Sequence, residues 1–519
     1  MRLPAVILFA AFVTASAQTP NADDLIWQKS VQKFDAKRAA LLKQVDQEAN
    51  TKPFHPDWES LKKVGVPDWY QDAKFGIFLH WGLYSVPAFG NEWYPRNMYV
   101  AGSKEFQHQV ATFGPQSKFG YKDFAPNFKA DKFDPKAWAE LFRKAGARYV
   151  IPVGEHHDGF AMYNSDLSDW SVAKMGPKRD TTGELEKAVR AAGLHFGVSS
   201  HRAEHYFFMN PGREFDSDVR DPRFASFYGP AHAGVTDQNH LQGHPDAAYL
   251  NDWLARSAEL VIKYRPEVLW FDWWIEREEF QPYLKRLAAF YYNYAAGHGF
   301  PASINYKNQA FPVGAAVLDI ERGQLDQVRP QFWQTDTSIS IKSWGYIDND
   351  NFRTPESLLQ ELVDIVSKNG CLLLNVGPKS DGTIPEQAQR ILLDMGRWLG
   401  VNGEAIYGTR PWKIYGEGPT KVVGGSFNDT QTKPYSSQDI RFTSKGGVLY
   451  AIALRGPRDG HITIKSLAKG SQYGAQEFRG VEMLGSKAKL KWARSEGGLQ
   501  IDVPAQQSGD YPVVFKLTP

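Results

Sequence analysis

His80, Glu92, His156, His157, Asp158, His201, Asp272, Lys307, Asp319 and Glu321 carry most of the acid–base chemistry this chain can offer, and most stand within a few residues of the end of a short apolar run. Asp272 is the sharpest case. It closes Val268-Leu269-Trp270-Phe271 and stands among three tryptophans, where an unpartnered carboxylate is costly to bury. A helix cap or a salt bridge would explain it, and so would catalysis. Two chemistries compete for the set. Histidines at strand ends suit metal-assisted hydrolysis, but there is no His-x-His pair on the first strand and no HExxH helix. Glycoside hydrolysis instead needs two carboxyl groups on different strands, apolar surface for a sugar ring and neutral groups for its hydroxyls. The set supplies all three.

The elements that must position these residues repeat. Trp253, Leu254, Leu260, Val261 and Tyr264 share one helical face; an Arg-Pro break follows, then the apolar run that ends at Asp272. A run without a period of its own fits a strand buried on both faces. The same grammar recurs. Phe75 to Leu79 hands over His80, and Tyr149 to Val153 leads to Glu155, His156, His157 and Asp158. His195 to Val198 leads to Ser199-Ser200-His201, Ala302 to Asn305 to Lys307, Ala315 to Leu318 to Asp319 and Glu321, and Leu372 to Leu374 to Asn375. Asp134-Pro135 opens one intervening helix as cap and first residue. Seven strands delivering polar residues at their C-terminal ends predict an α/β fold, a (β/α)8-like TIM barrel with one functional mouth. No Gly-rich phosphate fingerprint follows any strand, which weighs against a doubly wound sheet.

At 519 residues the chain is long enough for two domains. We expect a signal peptide over 1–17, a helical lead-in over 18–66 read as one helix from 22 to 50, and the barrel over 67–405. A C-terminal antiparallel β-sandwich is expected over 406–519, since alternation replaces the helical pattern after Tyr407. Gly416 to Ser437 reads as an exposed loop. Arg2, the apolar Pro4 to Val13 and Ala15-Ser16-Ala17 compose the leader, which implies a periplasmic or extracellular protein. Its apolar run is too short to span a bilayer, so no membrane partner is expected. Sixty basic and 58 acidic residues leave a net charge of +2, which gives no reason to expect nucleic acid. Cys371 is the single cysteine, set among leucines as a small buried hydrophobe.

Trp69 to Pro87, with Lys74-Phe75-Gly76-Ile77-Phe78-Leu79-His80-Trp81-Gly82 at its centre, and then Glu92-Trp93-Tyr94, closely resemble the opening signature of the α-L-fucosidases of glycoside hydrolase family 29. The resemblance continues through His156-His157-Asp158-Gly159-Phe160, Trp270-Phe271-Asp272, Ser343-Trp344-Gly345-Tyr346 and Leu373-Leu374-Asn375-Val376-Gly377-Pro378, covering Pro67 to Pro411. It implies a barrel followed by a β-sandwich and a retaining exo-α-L-fucosidase that acts on a fucosylated glycan without metal or cofactor. By position it implies Asp272 as nucleophile. Glu321 is the choice for acid/base, with Asp319 as runner-up and with Arg322 beside Glu321 as a reason it could stay ionised. The implied sugar pocket comprises His80, Glu92, Trp93, His156, His157 and Trp270, with Lys307 and Trp344 added as candidates; core packing is the alternative for Trp344.

Two departures bear on the sugar. Lys307 stands where many members carry arginine, which removes a planar fork. Ser199-Ser200-His201 stands where many have a Tyr-Tyr-Ser run. An α-L-galactoside therefore stays open as an alternative substrate.

Overall fold

The computed structural model describes residues 20–232, 244–473, 477–504 and 509–519; the leader proposed over 1–17 lies outside them. Eight parallel strands close into a barrel in sequence order: β1 (Phe75–Leu79), β2 (Tyr149–Glu155), β3 (His195–Ser200), β4 (Val268–Phe271), β5 (Ser303–Tyr306), β6 (Val317–Glu321), β7 (Trp333–Ser338) and β8 (Gly370–Val376). Helices such as Pro135–Lys144, Thr181–Ala191, Ala247–Tyr264, Gln281–His298 and Pro355–Ser367 lie between them in the chain. Asp134 caps the first of these as expected, accepting the N–H groups of Lys136 and Ala137 at 3.0 Å each.

One barrel strand escapes the apolar-run reading. β7 reads Trp-Gln-Thr-Asp-Thr-Ser, and all six residues are buried. It is polar because its side chains serve the barrel's interior. Gln334 Oε1 accepts the Tyr70 and Tyr149 hydroxyls at 2.7 and 2.8 Å, its amide N–H donates to Asp319, and Asn305 donates to Tyr70 at 2.8 Å. Such a network can be buried because its members largely satisfy one another, Asn305 Oδ1 being left without a partner among the described residues. Gly76 belongs to the same layer. A Cβ there would lie 2.3 Å from the Tyr149 ring, so only glycine lets that ring cross the barrel. Cys371 is buried beside Tyr149, and burial pushes its thiol up to about 12.

The 22–50 stretch of the lead-in is two helices, Ala22–Val31 and Asp35–Ala49, joined by a 3-10 turn over Gln32–Phe34, not one. The turn re-phases the apolar stripe. Trp27, Val31 and Phe34 join one cluster with Tyr206 and Tyr249, while Val45 and Ala49 reach the main core.

Beyond the barrel, β9 (Arg410–Glu417), β10 (Ile440–Lys445), β11 (Val448–Ala453), β12 (His461–Ile464), β13 (Gly480–Met483), β14 (Trp492–Ser495), β15 (Gly498–Asp502) and β16 (Val513–Thr518) form two antiparallel sheets. Their orders are β13-β16-β11-β10-β9 and β12-β15-β14. Inward residues of both, including Phe442, Ile464, Leu499 and Phe515, make a separate core. At the seam with the barrel Ile452, Leu454 and Val514 join the main core, and a buried ion cluster lies beside them: Arg441, 2% exposed, donates to Asp364 Oδ1 at 2.6 Å, and Lys368 meets Oδ2 of the same carboxylate at 2.6 Å. Among the described residues no helix is long and apolar enough to cross a membrane.

Candidate active site

The C-terminal ends of the barrel strands surround a cavity of about 480 Å³. His80, Glu92, Trp93, His156, His157, Trp270, Asp272, Glu321 and Trp344 all line it. Lys307 is absent from the lining, and so are Asp158 and Asp319 of the acid–base set.

Asp272 follows β4 directly, and β3 is its neighbour in the barrel. Residues leaving β3 therefore meet it. His201 Nδ1 lies 2.9 Å from Asp272 Oδ2, and His201 Nε2 lies 2.9 Å from the Ser199 hydroxyl. Burial makes His201 less basic than an ordinary histidine, only partly offset by the Asp272 charge. In the neutral ring Nδ1–H then donates to the carboxylate, which can only accept, and Nε2 accepts from Ser199. His157 Nε2 stands 3.4 Å from the same Oδ2, while its Nδ1 lies 3.1 Å from the His201 carbonyl and 3.1 Å from Glu204. Burial opposes ionisation of Asp272, yet His201, His157 and the Lys307 ammonium outweigh it and hold the carboxyl well below the usual range.

Glu321 is the last residue of β6 and accepts the Trp273 indole N–H at 2.5 Å. Burial raises its carboxyl; Lys307, 3.8 Å away, pulls it down, and the Asp272 charge pushes it up again, with a net rise. Arg322 adds a smaller downward pull on Glu321, but its nearest partners lie elsewhere. Its guanidinium lies 4.7 Å over the Trp344 ring and 3.5 Å from Asp429. The two carboxyl groups thus share one cavity with their acidities driven apart.

Asp319 points to the same side of β6 as Glu321 but one layer deeper, as the two-residue period requires. It accepts the Trp270 indole at 3.2 Å and the Lys307 ammonium at 2.7 Å, and it does not line the cavity. Lys307 also donates to Asp336. Burial and the neighbouring Asp319 raise the Asp336 carboxyl well above its ordinary value, against the pull of Lys307. Lys307, 1% exposed, is therefore the centre of a buried cluster of acids, of which Asp336 and Glu321 reach the cavity.

The remaining walls are orientated by backbone and amide groups. His80 Nδ1 donates to Asn375 Oδ1 at 2.8 Å, and the Asn375 amide donates to the Trp344 carbonyl at 2.7 Å. Glu92 accepts the Trp344 N–H at 2.8 Å and the Ser343 hydroxyl at 3.2 Å. Trp344 tilts against the His80 ring, with centroids 5.1 Å apart. His156 Nδ1 is buried without a hydrogen-bond partner among the described residues, an unusual state for a polar atom unless a ligand completes it. Nitrogens of His80, His156 and His201 come within 4.8 Å of one another, the spacing of a metal site. Both His201 nitrogens are engaged, however, so a cation would have to displace Asp272 or Ser199.

A model of the α-L-fucosidase domain matches residues 41–404, and one of the α-L-fucosidase C-terminal domain matches 428–518. The chain belongs to the α-L-fucosidase family. It is 30% identical to the tissue α-L-fucosidase of Rattus norvegicus, over 90% of this chain and 93% of that one. It is 32% identical to an α-L-fucosidase of Branchiostoma floridae, over 88% and 93%. A solved Thermotoga maritima α-fucosidase in complex with fucose is 33% identical, with a TM-score of 0.70 over 90% of this chain and all of the other. The α-L-fucosidase is thus a glycoside hydrolase of a family that acts on fucosylated substrates, on the barrel-plus-sandwich architecture those structures share.

Sequence reasoning placed His201 at the mouth without giving it a role, and passed over Glu204 and Trp273. A strand-order argument finds the first, because the residue after β3 must neighbour the residue after β4.

Proposed function

We propose that this α-L-fucosidase is a retaining exo-enzyme in which Asp272 forms a covalent fucosyl-enzyme and Glu321 is the acid/base. The observation that carries the reading is the opposed acidity of these two carboxyl groups on one cavity. His201 and His157 hold Oδ2 of Asp272, so Oδ1 attacks the anomeric carbon. As that bond forms, the Glu321 carboxylic acid gives its proton to the glycosidic oxygen and the C1–O bond breaks. In the second step the Glu321 carboxylate takes a proton from water, the water oxygen bonds to C1, and Asp272 departs as a carboxylate.

The sugar hydroxyls are met by neutral rings. With its Nδ1 proton committed to Asn375, His80 offers Nε2 as an acceptor. His156 supplies the unpartnered Nδ1. Trp93, at the cavity wall, gives the C5 methyl an apolar surface. The Lys307 departure falls behind the wall, so it bears on Glu321 more than on the sugar itself. Export through the 1–17 leader belongs to the same reading and predicts a mature N-terminus at Gln18.

Treatment with a 2-fluoro-α-L-fucosyl inactivator followed by peptide mass spectrometry tests the central step. The expected adduct is on Asp272. An adduct on another residue, or turnover with inversion at C1, overturns the reading.

A further inference from the structure

The chain between β9 and β10 does not stay with the sandwich. It returns to the barrel mouth and docks on the turn that follows Glu321. The Phe427 N–H donates to the Glu321 carbonyl at 2.8 Å, and those of Asn428 and Asp429 to the Arg322 carbonyl at 2.7 and 2.9 Å. The Asp429 carboxylate accepts the Thr337 hydroxyl at 2.7 Å. The backbone of this strap is thus tied down, but the Phe427 side chain is left out at the rim of the cavity, 56% exposed. Phe427 also has φ 61°, a left-handed conformation that is unfavourable for a bulky residue and that glycine would adopt freely. Folding alone gives no reason to keep an exposed phenyl ring there.

The neighbour of that ring is the second observation. The Phe427 and Trp273 rings are nearly parallel, with centroids 6.3 Å apart and planes within 15°. Trp273 is the residue whose indole N–H meets Glu321. An acid that protonates the glycosidic oxygen must stand within a hydrogen bond of it, and the departing group is attached to that same oxygen. The leaving group therefore begins beside Glu321, on the side these two rings occupy. Aromatic faces take the C–H face of a pyranose and ask nothing of its linkage.

We infer that Trp273 and Phe427 form the leaving-group subsite, a stacking platform for a neutral hexopyranose, with its outer half supplied by the C-terminal linker. The inference rests on the fucosidase reading with Glu321 as acid. The test compares kcat/KM on an α-L-fucosyl-hexose disaccharide with kcat/KM on α-L-fucosyl fluoride, whose leaving group has no ring. In Phe427→Gly the disaccharide-to-fluoride ratio should fall about tenfold, as expected for one lost aromatic contact. Phe427→Trp should restore the ratio. Thermal stability of the glycine variant should not drop, since glycine accepts this backbone conformation. An unchanged ratio overturns the inference, as does an equal loss on both substrates with lowered stability, which would make Phe427 a brace for Glu321. Wild-type cleavage of the fluoride but of no disaccharide also overturns it. Failure of the wild-type enzyme on fucosyl fluoride sinks the fucosidase reading itself, a separate result.

Discussion

His201 Nδ1 lies 2.9 Å from Asp272 Oδ2, and the imidazole is fixed from behind by the Ser199 hydroxyl. A neutral donor so placed stabilises the ionised carboxylate without competing for its proton. Replacing His201 with alanine removes one hydrogen bond to a charged group, worth about 1.5–3 kcal/mol, so kcat should fall about 10- to 100-fold. The pH profile gives a second readout. Asp272 titrates below the usual carboxylate range and loses its charge only as pH falls through that depressed value. Without His201 that value rises, and the acid limb of kcat/KM should move to higher pH.

For Asp272→Ala, turnover of an aryl α-L-fucoside should vanish while the far-UV circular dichroism spectrum is retained. Azide should restore part of the activity, giving a fucosyl azide. Retained hydrolysis would remove Asp272 from its role.

Glu321→Ala should spare substrates with good leaving groups and cripple those that need protonation; equal loss on both would point to another acid. Stability should move the other way in Glu321→Gln. The folded value of Glu321 is raised, so the native state is favoured where the carboxyl is protonated, and that advantage is lost as pH rises through the folded value. The melting-temperature gain of the glutamine variant should therefore grow from acid toward neutral pH.

Lys307→Met leaves Asp319 and Asp336 without their cation. Breaking a buried ion pair from one side costs about 3–5 kcal/mol, readable as a lower urea midpoint. Loss of the ammonium 3.8 Å from Glu321 should also shift the basic limb of the rate profile upward. Adding Asp319→Asn and Asp336→Asn should recover much of the stability.

Chelation addresses the three clustered histidines. Dialysis against EDTA should leave kcat/KM unchanged, because both His201 nitrogens are already engaged by Ser199 and Asp272. Loss of activity restored by a divalent ion would assign His80, His156 and His201 to a metal instead.

The barrel was legible wherever a strand is apolar on both faces, as Val268 to Phe271 is. β7 was not, because Gln334 and Asp336 spend its pattern on the polar interior. Residues that leave strand ends could be named from order alone, and His80, His156, His157, His201, Asp272 and Glu321 line one cavity, whereas Trp93, Trp270 and Trp344 were expected from the family resemblance. Lys307 shows the limit: a strand end fixes height in the barrel, whereas the side chain's direction depends on partners two strands away, here Asp336. Phe427 could not have been found, since only tertiary docking brings the linker back to Glu321.

The Asp364–Arg441 contact carries a corollary for anyone who would cut or graft this molecule. A barrel expressed alone exposes an acidic socket with only Lys368 to balance it, and a foreign sandwich attached at the same joint leaves the socket empty unless it presents a guanidinium in register. The two halves are keyed to each other and should be inherited, and engineered, as one piece.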